Sequence, residues 1–371
     1  MSSNLQICYM PYLFLGKTKE IAFKQAEIWN FGLQSLERIA SDELRRHVAK
    51  LLAANRMYGK PLDNIAIISF ANKDLFSPLS KPEYDNIDEL KKVLFLASVS
   101  HSNIHLGPNT GLFMVTSDNF SVIYQNFQLG SNDTAFLSGK LVEVGSGGHK
   151  LDEIICETPR FVLHKTFQID QQLFSALVKV SRKTPSFFRL IVRATDAMMN
   201  GYSNSDDISY ESRILEQSRA FEILLKLPEK KQRHTLKEYV LRDCIPDRER
   251  RVLFKSERSN GTFKLETGPK QVMWADRFYT LRNHITHGDK IKPKEFLFSG
   301  QPHCHLGLWF FLVLLKKEIN RSVGAPLFYD VIRNESGKFE YDKNSLIPII
   351  RREVEKLIND RKFERRAVNP R

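Results

Sequence analysis

The spacing of hydrophobic residues changes along the chain, and the change separates two regions. Up to about residue 180, short runs of β-branched and aromatic residues alternate with Asn, Asp, Ser, Pro and Gly, which is typical of strands between turns. The predicted strands span 65–70, 93–99, 112–116, 120–124, 140–144 and 160–167, with a turn at 145–148 between the last two. A helix is predicted before them over 18–54, because Leu36, Leu44, Val48 and Leu51 recur on one helical face. Residues 1–180 are therefore predicted to form a mixed α/β domain whose strand order stays open.

From about residue 181 the apolar residues follow a helical period instead. Helices are predicted at 187–199, 209–227, 236–244, 270–287 and 305–321, with a final helix at 346–363. Asp206, Asp207 and Thr235 are candidate N-caps, and 254–267 is either a loop or a hairpin. The predicted fold class is α+β: a mixed α/β domain over 1–180, then an all-α helical bundle with a basic C-terminal tail over 181–371.

The helix predicted at 270–287 has an apolar stripe and a recognisable end. Trp274, Phe278, Leu281 and Ile285 are spaced at i, i+4, i+7 and i+11, so they share one face. Gly288 follows where a left-handed residue commonly ends a helix. The stripe predicts which side of this helix is buried.

The last turns of the same helix carry the candidate chemistry. Arg282 is a permanently charged planar donor suited to phosphate oxygens, and His287 carries an imidazole, the side chain most often used for acid–base work. Asn283 lies four residues before His287, so its amide is on the face where it could orient the imidazole. Arginine and histidine are also ordinary helix terminators that satisfy free carbonyls, and both interpretations stay open at this point.

The run from Arg282-Asn283 to His287-Gly288 resembles the R-x(4–6)-H signature of the HEPN superfamily, most closely its Apea-like branch. In that family a helix rich in Glu, Leu and Ala precedes the signature, and 210–225 is similar to it. A strongly apolar helix follows the signature, as 305–319 does here. The resemblance covers about 185–325, under half of the chain.

The resemblance implies a homodimer of helical bundles in which two signature helices face one another and cleave RNA without a metal or other cofactor. His287 would then transfer protons, Arg282 would stabilise charge on the phosphoryl oxygens, and Asn283 would fix the imidazole or bind a phosphate oxygen. The products would carry 2′,3′-cyclic phosphate and 5′-hydroxyl ends.

Nearby residues are candidates for substrate binding. His284 adjoins the motif, and Arg277 and Thr280 lie on nearly the same helical face, so all three are candidate phosphate contacts. Ordinary surface positions are the simpler interpretation of all three. Glu216, Arg219 and Glu222 on the preceding helix are candidates to line the cleft, and solvated positions are the simpler interpretation for them.

The charge of the chain favours a polyanionic partner. The net charge is +13, and residues 201–371 contribute +10 of it, with 34 Lys and Arg against 24 Asp and Glu. The basic excess therefore accompanies the motif, and RNA is the predicted partner. Solvated helix faces and a basic terminus would produce the same excess without binding nucleic acid.

Cysteine usage and apolar run length bear on the compartment. Cys8, Cys156, Cys244 and Cys304 are scattered without disulfide or zinc spacing, which favours the reduced cytoplasm. The sequence His303-Cys304-His305 is not predicted to bind a metal, because three successive side chains of a helix cannot converge on one ion. The longest apolar run, 306–315, is too short to cross a bilayer core of ~30 Å, so no membrane association is predicted.

These features combine into one leading hypothesis and two alternatives. The leading hypothesis is a cytoplasmic endoribonuclease effector of anti-phage or toxin type, with 1–180 as a sensing or regulatory domain that answers a phage-derived trigger or a regulatory protein. The first alternative is a non-catalytic dimeric RNA-binding or scaffold protein. A third possibility, an enzyme or nucleotide binder in the N-terminal region, has no supporting motif.

Overall fold

Strands dominate the first half of the chain and helices the second, so the fold is α+β. The structure is a computed structural model that describes residues 5–15, 20–101, 115–127, 134–139, 142–143, 149–150, 155–158, 169–203, 205, 207–244, 251–258, 261–324, 327, 332–333 and 339–340. Residues 1–98 and 115–169 form one unit, and residues 99–114 and 170–371 form the other.

The first unit is built on an eight-stranded antiparallel sheet. Its strands are β1 Leu5–Met10, β2 Glu20–Phe23, β3 Ala26–Gly32, β6 Asn64–Phe70, β7 Ile123–Phe127, β8 Thr134–Gly139, β9 Val142–Glu143 and β10 His149–Lys150. The order is β10-β8-β7-β1-β6-β3-β2, with β9 beside β8. A smaller sheet joins β4 Asn55–Met57 to β5 Lys60–Pro61 and to β11 Cys156–Glu157.

The two faces of the main sheet pack against different helices. Helix α1, Asp42–Ala54, buries Val48, Leu51 and Leu52 in the same core cluster as Ile7 and Ile67 of the sheet. Helix α2, Lys81–His101, packs on the opposite side, where the Tyr84 ring lies 4.9 Å from that of Tyr124 and its hydroxyl accepts from Gln6. Central strands covered on both sides read as continuous apolar runs, as β6 does.

The helix predicted over 18–54 is wrong in its first half. Strands β2 and β3 pair there as a hairpin that turns at Lys24, whose φ is 55°. Ile21 and Phe23 are buried whereas Glu20 and Ala22 are exposed, which is strand alternation. The helix begins only at Asp42, after Ser41 accepts a hydrogen bond from the Leu44 amide.

The strand predicted over 93–99 is also wrong, because these residues lie in α2. Their side chains are buried all round, and a fully buried helix has no polar face to reveal its period. A helix-start signal does exist at Ser80, because the Glu83 carboxylate accepts from its amide and its hydroxyl, and the amide bond is one half of a capping box.

Of the other predicted strands, three have a counterpart in the structure. The strand at 65–70 is confirmed as β6, and the one at 140–144 is present as the short β9. The strand predicted at 120–124 begins three residues later, as β7. Residues 112–114, the turn at 145–148, the strand at 160–167 and the final helix at 346–363 lie outside the described residues.

The second unit is largely helical. Its helices are α3 Gln171–Lys183, α4 Pro185–Asn200, α5 Tyr210–Leu225, α6 Gln232–Asp243, α7 Lys270–His287 and α8 His303–Val323. The five helices predicted between 187 and 321 are confirmed as α4 to α8. Residues 254–267, for which a loop or a hairpin was predicted, belong to a hairpin of β12 Val252–Glu257 and β13 Phe263–Gly268. Two short strand pairs complete the described part: β14 Leu297–Phe298 with β15 Gln301–Pro302, and β16 Ile332–Arg333 with β17 Phe339–Glu340.

The predicted caps of α5 and α6 are wrong. Ser209 caps α5, because its hydroxyl accepts from the Ser212 amide at 3.1 Å and it directly precedes the first helical residue. Helix α6 starts after Lys231, whose φ is 73°, so Thr235 lies inside the helix. Among the described residues, no helix is both long enough and apolar enough to cross a membrane.

A buried amide holds three helices of the second unit together. Gln217 of α5 is fully buried, and its Nε2 donates to the carbonyl of Gly201 at 3.1 Å and to that of Cys304 at 2.9 Å. Gly201 is the C-cap of α4, and Cys304 lies in the first turn of α8. The amide therefore fixes the spacing of α4 and α8 around α5.

Candidate functional site

Helix α7 carries the candidate residues, and its apolar stripe sets their directions. Trp274, Phe278 and Leu281 are buried as predicted, and the Trp274 ring stacks on Phe310 of α8 at 4.2 Å. Phe278 packs edge-on to Phe221 of α5 at 5.9 Å. These contacts prevent rotation of α7 about its axis, so the polar residues between them point in fixed directions.

The end of α7 is a Schellman motif. Gly288 has φ 76°, and its amide donates to the carbonyl of Ile285 at 3.1 Å. The amide of Asp289 donates to the carbonyl of His284 at 2.9 Å. This pair of bonds is the Schellman pattern, and it brings the residue after the glycine back over the last turn. The predicted helix end at Gly288 is confirmed.

Arg282 is held by a carboxylate of the preceding helix. Its Nη2 lies 3.3 Å from Oε1 of Glu222 on α5, and the Tyr279 hydroxyl donates to the same oxygen at 3.1 Å. Burial, together with the charge of Glu222, raises the pKa of Tyr279, so the phenol keeps its proton. Glu222 therefore holds a fixed ion pair and is not a freely solvated position.

Asn283 does not orient His287 as predicted. Its Oδ1 accepts from Nη1 of Arg282 at 3.3 Å. His287 is exposed, and within the described part of the chain its ring makes no hydrogen bond. The amide accepts from the arginine because a guanidinium one residue away is within reach and has donors to spare.

His284 lies between two carboxylates. Its Nδ1 is 2.6 Å from Oδ2 of Asp289, and its Nε2 is 3.0 Å from Oε2 of Glu257 on β12. Ionised carboxylate oxygens only accept hydrogen bonds, so this geometry favours a ring with a proton on both nitrogens, an imidazolium. Hydrogen bonds to Asp289 and then to Glu257 raise its pKa. We call this cluster the imidazolium bridge.

Arg277 and Thr280 point to other neighbours. The Arg277 guanidinium lies 5.5 Å from the centre of the Phe298 ring, and the Thr280 hydroxyl accepts from Nη1 of Arg233 on α6 at 3.1 Å. The six candidate residues therefore do not converge on one cleft within a single chain. Arg282 and Asn283 contact each other, His284 faces the hairpin, and His287 faces solvent.

A buried ion cluster braces α7 against α6 and the hairpin. The Asp276 carboxylate accepts from Lys237 of α6 at 3.2 Å and from Ser256 of β12 at 2.9 Å. Asp276 is almost completely buried. The cluster thus positions the helix that carries the candidate site.

The sequence does not predict which charged residues contact the candidate residues. Glu222 had two interpretations in the sequence, a cleft-lining residue or a solvated one, and neither predicts its ion pair with Arg282. The sequence gives no signal that Glu257 or Arg233 would contact this helix. Asp289 alone had a local signal, because it follows the glycine that ends α7.

The described residues contain no group of three or more potential metal ligands. His303 and His305 lie at the start of α8, and burial lowers the pKa of His303 to about 3 and that of His305 to about 4. Burial therefore favours the neutral form of both rings, and His303 is part of the core. The four cysteines are buried free thiols.

No protein-family model matches the chain, and neither the curated proteins nor the solved structures include a significant match to it. The resemblance to the HEPN superfamily thus depends on the signature residues and the order of the helices.

Proposed function

We propose that the chain is a metal-independent endoribonuclease in which Arg282 and His287 of two copies form one composite site. The observation that supports this most directly is the state of His287. Its imidazole is exposed and makes no hydrogen bond to any described residue. It lies in the last turn of α7, and Arg282 lies in the turn before it. An imidazole of this kind can accept or donate a proton to a bound ligand.

The chemistry follows from the two side chains. One His287 takes the proton of a ribose 2′-hydroxyl, and the 2′-oxygen attacks the neighbouring phosphorus. The bond from phosphorus to the 5′-oxygen breaks, and His287 of the partner subunit donates a proton to that oxygen. The products are a 2′,3′-cyclic phosphate and a 5′-hydroxyl, and no metal or oxidant enters the balance.

Arg282 has the donors to stabilise the phosphoryl oxygens while staying bound to Glu222. A guanidinium has five N–H groups. One group of Nη2 bonds Glu222 and one of Nη1 bonds Asn283, which leaves a second N–H on each of these nitrogens. Glu222 is a positioning residue here, because it orients the fork and touches no substrate atom.

The biological role we propose is a cytoplasmic effector of anti-phage or toxin type, restrained by the N-terminal unit until a phage-derived trigger or a regulatory protein acts on it. It rests on analogy with the family that the signature resembles. The test is the growth of cells that express wild type, Arg282→Ala or His287→Ala, with and without phage. Growth that is the same for all three would remove this role.

The biochemical test uses the purified full chain with EDTA and an end-labelled RNA. We expect His287→Ala to slow cleavage at least ~100-fold, and Arg282→Ala to slow it by roughly 100- to 1,000-fold. His234→Ala is the matched control, since His234 is an exposed histidine on α6 and should leave the rate unchanged. Replacing the 2′-hydroxyl with hydrogen should abolish cleavage.

A non-catalytic RNA-binding or scaffold role remains the second candidate. The ion pair between Glu222 and Arg282 favours it, because the arginine charge is already compensated within one chain. Under this role, RNA binding survives His287→Ala unchanged and no cyclic phosphate ends form. Cleavage that depends on His287 would eliminate it.

A further inference from the structure

The hairpin of β12 and β13 has one buried and one exposed face. Phe254 and Ser256 point inward and are buried. Residues directly opposite in an antiparallel pair share a face, so the register assigns the other side to the pairs Leu253 with Thr267, Lys255 with Leu265, and Glu257 with Phe263. We call these six residues the outer face.

The outer face is unusually apolar for a surface. Leu253 is 66% exposed, Phe263 63% and Leu265 61%. Each leaves on the order of 100 Å² in solvent, so together they give roughly 300 Å² of apolar surface, the size at which such patches are commonly functional. A two-stranded sheet with one face on the core is expected to be polar on the other. The described part of the chain supplies no covering for this face.

We infer that the outer face is the docking surface for a second copy of this chain, an inference that rests on the proposed composite site. The charges of the face support this occupant. Lys255 and Glu257 are the only ionisable residues of the six, so the face is neutral and self-complementary about a twofold axis. His284 bonds Oε2 of Glu257, and Lys255 of the other copy can meet Oε1 of the same carboxylate. Two copies with a net charge of +13 each repel least when they meet through a neutral surface.

RNA fits this surface poorly. Two of the three apolar side chains are leucines, which offer no ring for base stacking, and Glu257 repels phosphate. Phosphate binding requires a basic excess, and the outer face has none.

The position of the face connects it to the candidate site. Glu257 bonds His284, which lies one helical turn before His287 on α7. A second copy on the hairpin would therefore lie beside the end of α7 in both chains. A stable dimer buries about 800 Å² per partner. The apolar part of the outer face is smaller than this, so a polar rim must also be buried around it. The imidazolium bridge and the end of α7 lie next to the outer face and can supply that rim.

The test compares the mass of the full-length protein in solution by sedimentation across micromolar concentrations. We expect wild type to dimerise, and the double variant Phe263→Lys with Leu265→Lys to raise the dimer dissociation constant at least ~100-fold, because it sets like charges against each other at the twofold axis. Both positions are exposed, so the circular dichroism spectrum and the melting temperature of the monomer should stay as in wild type. Leu241→Lys, at an exposed leucine of α6, is the matched control and should stay dimeric.

The outcomes separate this inference from the proposed nuclease function. A dimer that the hairpin variant dissociates supports the docking surface, even if no preparation cleaves RNA. A hairpin variant that stays dimeric overturns it, even if RNA is cleaved, and so does an equal loss in Leu241→Lys. A monomeric wild type whose RNA binding falls in the hairpin variant also overturns it, since RNA would then be the occupant.

Discussion

Replacing Gly307 with alanine should destabilise the second unit, because Gln217 fills the space that the new methyl group needs. A Cβ at position 307 would lie 2.2 Å from Oε1 of Gln217. The end of a glutamine side chain usually moves aside easily. This one is fully buried, and its Nε2 is bound to the carbonyls of Gly201 and Cys304.

The magnitude follows from what the amide must give up. Moving it by about an ångström breaks or lengthens both hydrogen bonds, at ~1 kcal/mol each, and overpacking a well-packed core costs roughly 1–3 kcal/mol more. Alanine returns about 1 kcal/mol through its higher helix propensity. The free energy of unfolding of this unit should therefore fall by about 2–4 kcal/mol.

The assay is urea unfolding followed by tryptophan fluorescence in a Trp29→Phe background. Trp274 and Trp309 are then the remaining tryptophans, and both lie in the second unit, so the signal reports that unit. In a Gln217→Ala background the cost of Gly307→Ala should disappear, since the clashing atom is gone. An equal cost in both backgrounds, or a Gly307→Ala protein as stable as wild type, would refute the reasoning.

Three further predictions concern the charged groups around α7. Glu222→Ala should lower the free energy of unfolding by roughly 1–3 kcal/mol, because it leaves Arg282 without its counter-charge. Glu222→Gln should lower it less, because it retains an acceptor. An equal loss for both variants in urea unfolding would contradict the role of the ion pair. The raised pKa of His284 predicts a stabilising contribution that is complete below the unfolded-state pKa of about 6.5 and disappears as the pH rises through the folded-state pKa. The stability difference between wild type and His284→Gln should therefore shrink from pH 6 to pH 9, and a difference that is constant with pH would count against the imidazolium bridge. Asp276→Ala should lower the free energy of unfolding by roughly 1–3 kcal/mol, because it removes the buried acceptor of Lys237 and Ser256 while Glu266 still pairs with Lys237, and a thermal melt unchanged from wild type would exclude this role.

Helices α4 to α8 of the second unit could be predicted because their signals are local, whereas α3 was not predicted. Helix α7 begins and ends where the apolar stripe and Gly288 indicated, and Trp274 and Phe278 are buried as expected. A stripe of this spacing and a left-handed glycine act within a few residues, so they work before any tertiary contact forms.

The first unit was harder to predict, because the hydrophobic period of its helices and strands is less clear in the sequence. Strands β2 and β3 occupy what looked like the start of a long helix, and α2 contains an apolar run that looked like a strand. In α2 the residues of this run are buried on every side, so they do not alternate with polar ones in a helical period. Strands β2 and β3 do alternate, but they are only four and seven residues long, and so short an alternation is a weak signal.

For the candidate site, the sequence by itself determined which side chains α7 presents, where the helix ends and that Arg282 precedes His287 by five residues. Only the tertiary structure decided which charges meet them. Glu222 comes to Arg282 from α5, and Glu257 comes to His284 from the hairpin. The spacing of apolar and polar residues within a helix depends only on residues that are near in sequence. The pairing of charges depends on how elements that are distant in sequence pack together, and the whole buried core decides that packing.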